Sequence, residues 1–126
     1  MKPRVTFATL NARGLGGAQK LLQIKKATEK IGILCLQETH EPRDRGYLWK
    51  KKLGRYGLAM SVKGTGTKGV ATLLNEELSK MNPELQENST KDAEGRTLIS
   101  LINTSQEDKL IVANTYCPNM NSTREA

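Results

Sequence analysis

The sequence predicts an α/β fold, and three stretches carry that prediction. Residues 5–10 form an apolar, partly β-branched run that ends in a polar turn at Asn11. Leu21, Ile24, Thr28 and Ile31 then recur at spacings of three and four, with Lys and Gln between them, the period of a helix with one buried face. Ile33-Leu34-Cys35-Leu36 follows as an unbroken apolar run, the pattern of a strand covered on both faces. Strand, helix and strand within about 30 residues make a right-handed crossover, which sets both strands in one sheet and points them the same way.

Taken in order, the first strand is expected over residues 5–10, and Gly14, Gly16 and Gly17 loosen the chain before a helix over residues 18–31. Gly32 sits where a helix stop is expected, and the second strand spans residues 33–36. Further strands are expected over residues 56–62, 69–74, 97–102 and 110–116. A turn at Thr65-Gly66-Thr67 joins the first pair, and one at residues 105–108 joins the second. Residues 75–94 are acidic and broken by Pro83, and read as a loop or short helix crossing an edge. From periodicity alone these elements make one α/β sheet with adjacent hairpins.

The chain has 126 residues, enough for one domain with a core of its own. Its aromatics are Phe7, Tyr47, Trp49, Tyr56 and Tyr116, so the core must be aliphatic, and a sheet that stacks RNA bases on paired aromatics is disfavoured. The net charge is +7, which draws the chain to polyanions such as nucleic acid, phosphorylated substrates or an anionic membrane surface. The excess is concentrated. Residues 1–30 hold seven Lys or Arg against Glu29 alone, and residues 41–57 hold Arg43, Arg45, Lys50, Lys51, Lys52 and Arg55 against Glu41 and Asp44. A solvated surface that keeps a small protein soluble accounts for such charge equally well.

No apolar run approaches the ~20 residues needed to cross a bilayer. Met1-Lys2-Pro3-Arg4 leads into no apolar stretch of signal-peptide length. Cys35 and Cys117 form no short-spaced metal or redox motif, so both are expected as small core thiols in a reducing intracellular compartment, nuclear or cytoplasmic.

In an open α/β sheet, ligands collect at the carboxyl ends of the strands. Asn11 closes the first strand, Glu38 follows the second, and Tyr116 closes the last. A buried strand that delivers a carboxylate to its end suits Mg²⁺, which takes oxygen ligands and often needs only one or two carboxylates plus substrate phosphate. A tyrosine hydroxyl could hold a phosphate oxygen, and an Asn amide could orient one. Structural readings stand beside these. Glu38 could cap the turn at Thr39 and His40, Tyr116 could cover the core before Pro118, and Asn11 could be a turn residue only. Gly14-Leu15-Gly16-Gly17 is neither a phosphate loop nor a dinucleotide fingerprint, and with His40 the only histidine a histidine metal cluster is excluded.

Five segments in order carry a family resemblance. They are Thr9-Leu10-Asn11-Ala12-Arg13-Gly14-Leu15, Leu34-Cys35-Leu36-Gln37-Glu38-Thr39-His40, Gly69-Val70-Ala71-Thr72-Leu73-Leu74, Asp92-Ala93-Glu94-Gly95-Arg96 and Ile111-Val112-Ala113-Asn114-Thr115-Tyr116-Cys117-Pro118-Asn119. From Val5 to Asn119 the chain resembles the endonuclease/exonuclease/phosphatase superfamily, and within it the apurinic-type endonuclease domain of LINE-type (non-LTR) retrotransposons. The resemblance implies the N-terminal half of a deoxyribonuclease-I-like two-sheet α/β sandwich that hydrolyses DNA phosphodiesters with a divalent metal, Mg²⁺ or Mn²⁺. It implies Glu38 as the metal-binding carboxylate, Asn11 beside the metal and the phosphate, and Tyr116 on the scissile phosphate. Arg13, Arg43, Arg45, Lys50, Lys51 and Lys52 would follow the DNA backbone. Asn119 is expected to be structural, in a Tyr-x-Pro-Asn turn, while for Arg96, which follows an Asp-x-x-Gly turn, folding and sheet placement account for it as well as catalysis does.

Two departures qualify the resemblance. Arg13 stands where cellular repair enzymes of this type carry an acidic residue, which favours the retrotransposon branch. Members of the family are also roughly twice as long, as suits a larger single α/β domain. Their second half supplies a Gly-Asp-x-Asn motif and a terminal Ser-Asp-His, and neither occurs here. The expectation is therefore a fragment, inactive alone, that leaves an apolar face exposed unless the missing half or a second copy covers it. A non-catalytic nucleic-acid-binding module derived from the domain, and a phosphatase of the same superfamily, are the alternative readings.

Overall fold

The computed structural model describes residues 4–14, 17–40, 51–61, 69–92 and 94–117. Its elements are β1 (Phe7–Asn11), α1 (Ala18–Ala27), β2 (Ile33–Gln37), β3 (Gly57–Ser61), β4 (Val70–Leu74), α2 (Glu76–Met81), β5 (Ser89–Lys91), β6 (Thr97–Asn103) and β7 (Lys109–Thr115). β1 and β2 pair in parallel, from Phe7 opposite Ile33 to Asn11 opposite Gln37, with α1 as the crossover that the spacing predicts. β4 pairs antiparallel with both β2 and β3, giving a sheet in the order β1-β2-β4-β3. β5, β6 and β7 form a second, antiparallel sheet.

Two sheets replace the single sheet expected from periodicity, and the reason lies in β2 and β4. Both strands are apolar on each face, so neither face can be left to water. Leu34, Leu36, Ala71 and Leu73 pack with Leu21 and Ile24 of α1 and with Leu53. Ile33, Cys35, Val70 and Leu74 point the other way and pack with Leu98, Ile102 and Val112 of the second sheet. Each such aliphatic side chain taken from water is worth about 1.5–3 kcal/mol, so covering both faces decides the layering. The order of layers is helix, sheet, sheet. On the outer face of the second sheet Ile99, Leu101 and Ile111 remain exposed, Ile111 to 75%.

Helix α1 stops at Ala27, short of the expected end at Ile31. The Thr28 hydroxyl donates to Ile24 O at 2.6 Å, and the buried Arg55 guanidinium donates to the carbonyls of Thr28 and Ile31. These bonds satisfy the carbonyls at the end of the helix and turn the chain early toward β2. Gly32 serves a close approach rather than a helix stop. Its N–H donates to Thr6 O at 3.0 Å, and a Cβ there would lie 3.2 Å from Thr6 O and 3.1 Å from Leu78 Cδ1.

The acidic stretch holds both α2 and β5. Asn75 Oδ1 caps α2 by accepting from Leu78 N–H at 2.9 Å, and Glu76 and Glu77 occupy its first turn. Strand β5 is three residues long, too short to show an alternating pattern. The hairpin joining β6 to β7 is closed by Thr104 N–H donating to Asp108 O at 2.9 Å. The turn at Thr65-Gly66-Thr67, and Asn119, lie outside the described residues. Cys35 is buried as expected, but Cys117 is exposed because it lies beyond the end of β7, past the covered face. Burial pushes the Cys35 thiol up, with the Thr72 hydroxyl pulling the other way. Among the described residues no helix is long and apolar enough to cross a membrane.

Candidate active site

Because β1 and β2 run in parallel, Asn11 and Glu38 emerge side by side at their carboxyl ends. The two segments stay joined past the ladder: Ala12 N–H donates to Gln37 O and Gly14 N–H to Glu38 O, both at 2.7 Å. Asn11 Nδ2 donates to Glu38 Oε2, and Asn11 Oδ1 accepts from Arg13 N–H at 3.1 Å. His40 Nε2 lies 3.4 Å from Glu38 Oε1. The carboxylate thus meets an amide on one side and an imidazole on the other, with the Glu38 side chain still 21% exposed.

The backbone here is strained. Arg13, Glu38 and His40 have φ of 51°, 51° and 57°, and they are the only non-glycine residues with positive φ among those described. The left-handed conformation costs an L-residue roughly 1–2 kcal/mol. Such strain persists only where the surroundings impose it, and it gathers at functional sites. Gly14, at φ 94°, and Gly69, at φ 130°, make the crowding possible. A Cβ on Gly14 would lie 3.2 Å from His40 Nδ1, and one on Gly69 would collide with Thr39 Oγ1. Thr39 N–H donates to Gly69 O at 3.1 Å, while its buried hydroxyl has no partner among the described residues.

Tyr116 arrives from the second sheet. Its N–H donates to Arg96 O at 2.8 Å, and its side chain packs on the core between the sheets. Asp92 holds the turn before β6, accepting from Arg96 N–H at 2.9 Å, Thr97 N–H at 3.0 Å and the Ser61 hydroxyl at 3.2 Å. Burial works to raise the Asp92 pKa, but these donors outweigh it and hold the carboxyl below its ordinary value. Asp92 therefore builds the turn, in line with the expectation for this segment. Arg96 Nε is buried without a hydrogen-bond partner among the described residues.

Arg13 is exposed at the site, and Lys20 Nζ donates to its carbonyl at 3.2 Å, adding a cation that the sequence reading did not single out. Lys51 and Lys52 are exposed but stand elsewhere. They lead into Leu53, which packs with Ile24, and Arg55, which caps the far end of α1, a helix about 15 Å long. Arg43, Arg45 and Lys50 lie outside the described residues. His40 was visible only as part of the Glu38 motif. Its place against the carboxylate follows from the left-handed backbone, for which residue types such as Arg, Glu and His give little signal.

Among the described residues no group of three or more His, Cys, Asp or Glu side chains gathers, so they hold no all-protein metal cage. One partly exposed carboxylate, oriented by Asn11, suits an ion such as Mg²⁺ that keeps waters and takes its remaining ligands from substrate phosphate.

No protein-family model matches the chain, and no curated protein matches it. Solved structures do. The AP endonuclease LMAP from Leishmania major superposes with a TM-score of 0.65 at 22% identity, over 96% of this chain and 43% of that one. The APE2 catalytic domain from Xenopus laevis superposes with a TM-score of 0.55 at 23% identity, over 90% of this chain and 45% of that one. The chain therefore has the α/β fold of these AP endonucleases, the deoxyribonuclease-I-like type that its motifs imply, and spans less than half of their length.

Proposed function

We propose that the chain is the N-terminal half of a divalent-metal-dependent DNA endonuclease domain of the non-LTR retrotransposon type, inactive in nicking by itself. The observation that carries this reading is the Asn11–Glu38–His40 cluster, held at the ends of two parallel strands by three left-handed non-glycine residues. The spelling of the motifs and Arg13 in the first loop support the retrotransposon branch. The shared fold with AP endonucleases supports DNA as the substrate class, and the length of those neighbours supports a half-domain.

In this reading Glu38 would hold Mg²⁺ or Mn²⁺, and Asn11, whose amide donates to Glu38 Oε2, fixes the carboxylate rotamer. The bound ion supplies Lewis-acid polarisation of a phosphate oxygen. Tyr116 donates its hydroxyl to the phosphate, and Arg13 and Lys20 attract the DNA backbone. An acid–base group able to activate water would come from the rest of the fold, whether continuous with this chain, supplied separately or given by a second copy. An intracellular site of action, nuclear or cytoplasmic, accords with the free cysteines.

The +7 charge favours a second reading, a binding module that no longer cleaves. Nicking of supercoiled plasmid, with and without Mg²⁺ and beside Glu38→Ala, separates the possibilities. The proposal expects no nicking by the isolated chain, and Mg²⁺-dependent nicking once the complementary half is added, lost in Glu38→Ala. Nicking by the chain alone would contradict the half-site. DNA retention with no nicking even after the complementary half is added would favour the binding module.

A further inference from the structure

We propose that Asn114 and Gln37 are positioning residues that set the two sheets in register at the site, an inference that rests on the endonuclease reading only for what is being positioned. Asn114 is 2% exposed, between the sheets. Its Nδ2 donates to Ala71 O at 2.9 Å and lies 3.3 Å from both Leu36 O and Thr72 Oγ1. Its Oδ1 accepts from Gln37 Nε2 at 2.8 Å, and the same amide nitrogen donates to Thr9 Oγ1 at 2.8 Å. One polar cluster thus joins β7 to β2 and β4, and β2 onward to β1.

The placement of its members gives the cluster its role. Thr9 lies two residues before Asn11, Gln37 one before Glu38, and Asn114 two before Tyr116. Residues two apart on a strand share a face, so holding Asn114 also sets the face from which Tyr116 leaves. Elsewhere the inter-sheet contact is built largely from aliphatic side chains such as Ile33, Leu74, Leu98 and Ile102. Their packing is strong but non-directional. Hydrogen bonds have a narrow range of distance and angle, so the Asn114 cluster can fix what that packing leaves free to slide.

The test is native-state hydrogen exchange, measured without metal or DNA so that it stands apart from the endonuclease reading. Failure of metal binding or nicking bears on that reading alone. Thr9 is exposed, so Thr9→Val removes the hydroxyl without disturbing the core, and Thr9→Ser keeps it. Thr9→Val is expected to speed exchange of the Ala12 and Gly14 amides about fivefold, the worth of one hydrogen bond, while Thr9→Ser does not. Asn114→Ala is expected to speed the Thr39 and Tyr116 amides about tenfold. In every variant the Ile33 and Asn75 amides, bonded to Thr6 O and Gly32 O at the other end of the sheet, keep their rates. Equal acceleration at both ends would reduce the cluster to general stability and overturn the proposal. So would unchanged rates at the site, or a Thr9→Ser variant as fast as Thr9→Val. The Thr9 pair decides the matter if Asn114→Ala does not fold.

Discussion

β2 and β6 are both short aliphatic strands at the centre of their sheets, yet they meet water differently. In β2, Ile33, Leu34 and Leu36 are fully buried, because α1 covers one face and the second sheet the other. In β6, Leu98 and Ile102 are fully buried while Ile99 and Leu101 between them are about 40% exposed. The strand covered on both faces is the one that ends in Glu38. A carboxylate carried on strained backbone needs a support that cannot yield, and doubly covered β2 provides it. The second sheet is covered on one side only and contributes Tyr116, just past the end of β7.

The largest expected difference tests that comparison directly. Leu36→Ala should lose about 2–5 kcal/mol in urea unfolding, whereas Ile111→Thr should change stability by less than about 0.5 kcal/mol. Comparable losses would mean that the outer face of the second sheet is buried in solution, for example against another copy. Next in size is Gly69→Ala, where the added methyl collides with Thr39 and φ is 130°. A loss of about 2 kcal/mol is expected, and a neutral result would show that the site end of β4 yields more readily than β2 does.

Asp92 sharpens the comparison through pH. Its folded pKa lies below the ordinary carboxylate value, so the stability it adds is full above about pH 4 and fades as pH falls through the lowered value. Asp92→Asn should therefore be less stable than wild type at neutral pH, and an acid titration of thermal midpoints should show the gap closing below about pH 4. A gap that widens in acid would reverse the assigned sign. The smallest effect is expected at Arg13. Arg13→Gly relieves a left-handed arginine but adds backbone freedom to the unfolded chain, for a net gain of roughly 0.5 kcal/mol, with weaker retention on DNA. A clear loss of stability would mean that the arginine side chain, rather than the backbone, holds the loop.

Much of the first sheet was legible because β1, α1 and β2 announce themselves by period, and the unbroken apolar run of β2 states that both faces are covered. The same run could not say what covers the second face, so periodicity alone merged two sheets into one. The end of α1 was misplaced because Ile31 keeps the helical spacing. What stops the helix is Arg55, distant in sequence, and a local pattern carries no trace of it. Asn11 and Glu38 were found from their place at strand ends, and the structure brings them into contact. Lys20, the His40 contact and the Asn114 cluster depend on long-range pairing and left-handed backbone, which composition and spacing do not encode. Strand spacing set Tyr116 at the end of the last strand, and it follows directly on β7, which ends at Thr115; its hydroxyl makes no hydrogen bond to Asn11 or Glu38 among the described residues.

The most direct measurement is a Mg²⁺ titration of the isotopically labelled chain followed at its backbone amides, beside Glu38→Gln. It requires neither DNA nor the complementary half. Saturable shifts confined to Ala12, Gly14, Glu38 and His40, absent in Glu38→Gln, are the predicted result. No saturable shift at these amides, or the same shifts in Glu38→Gln, would contradict a metal site built on Glu38.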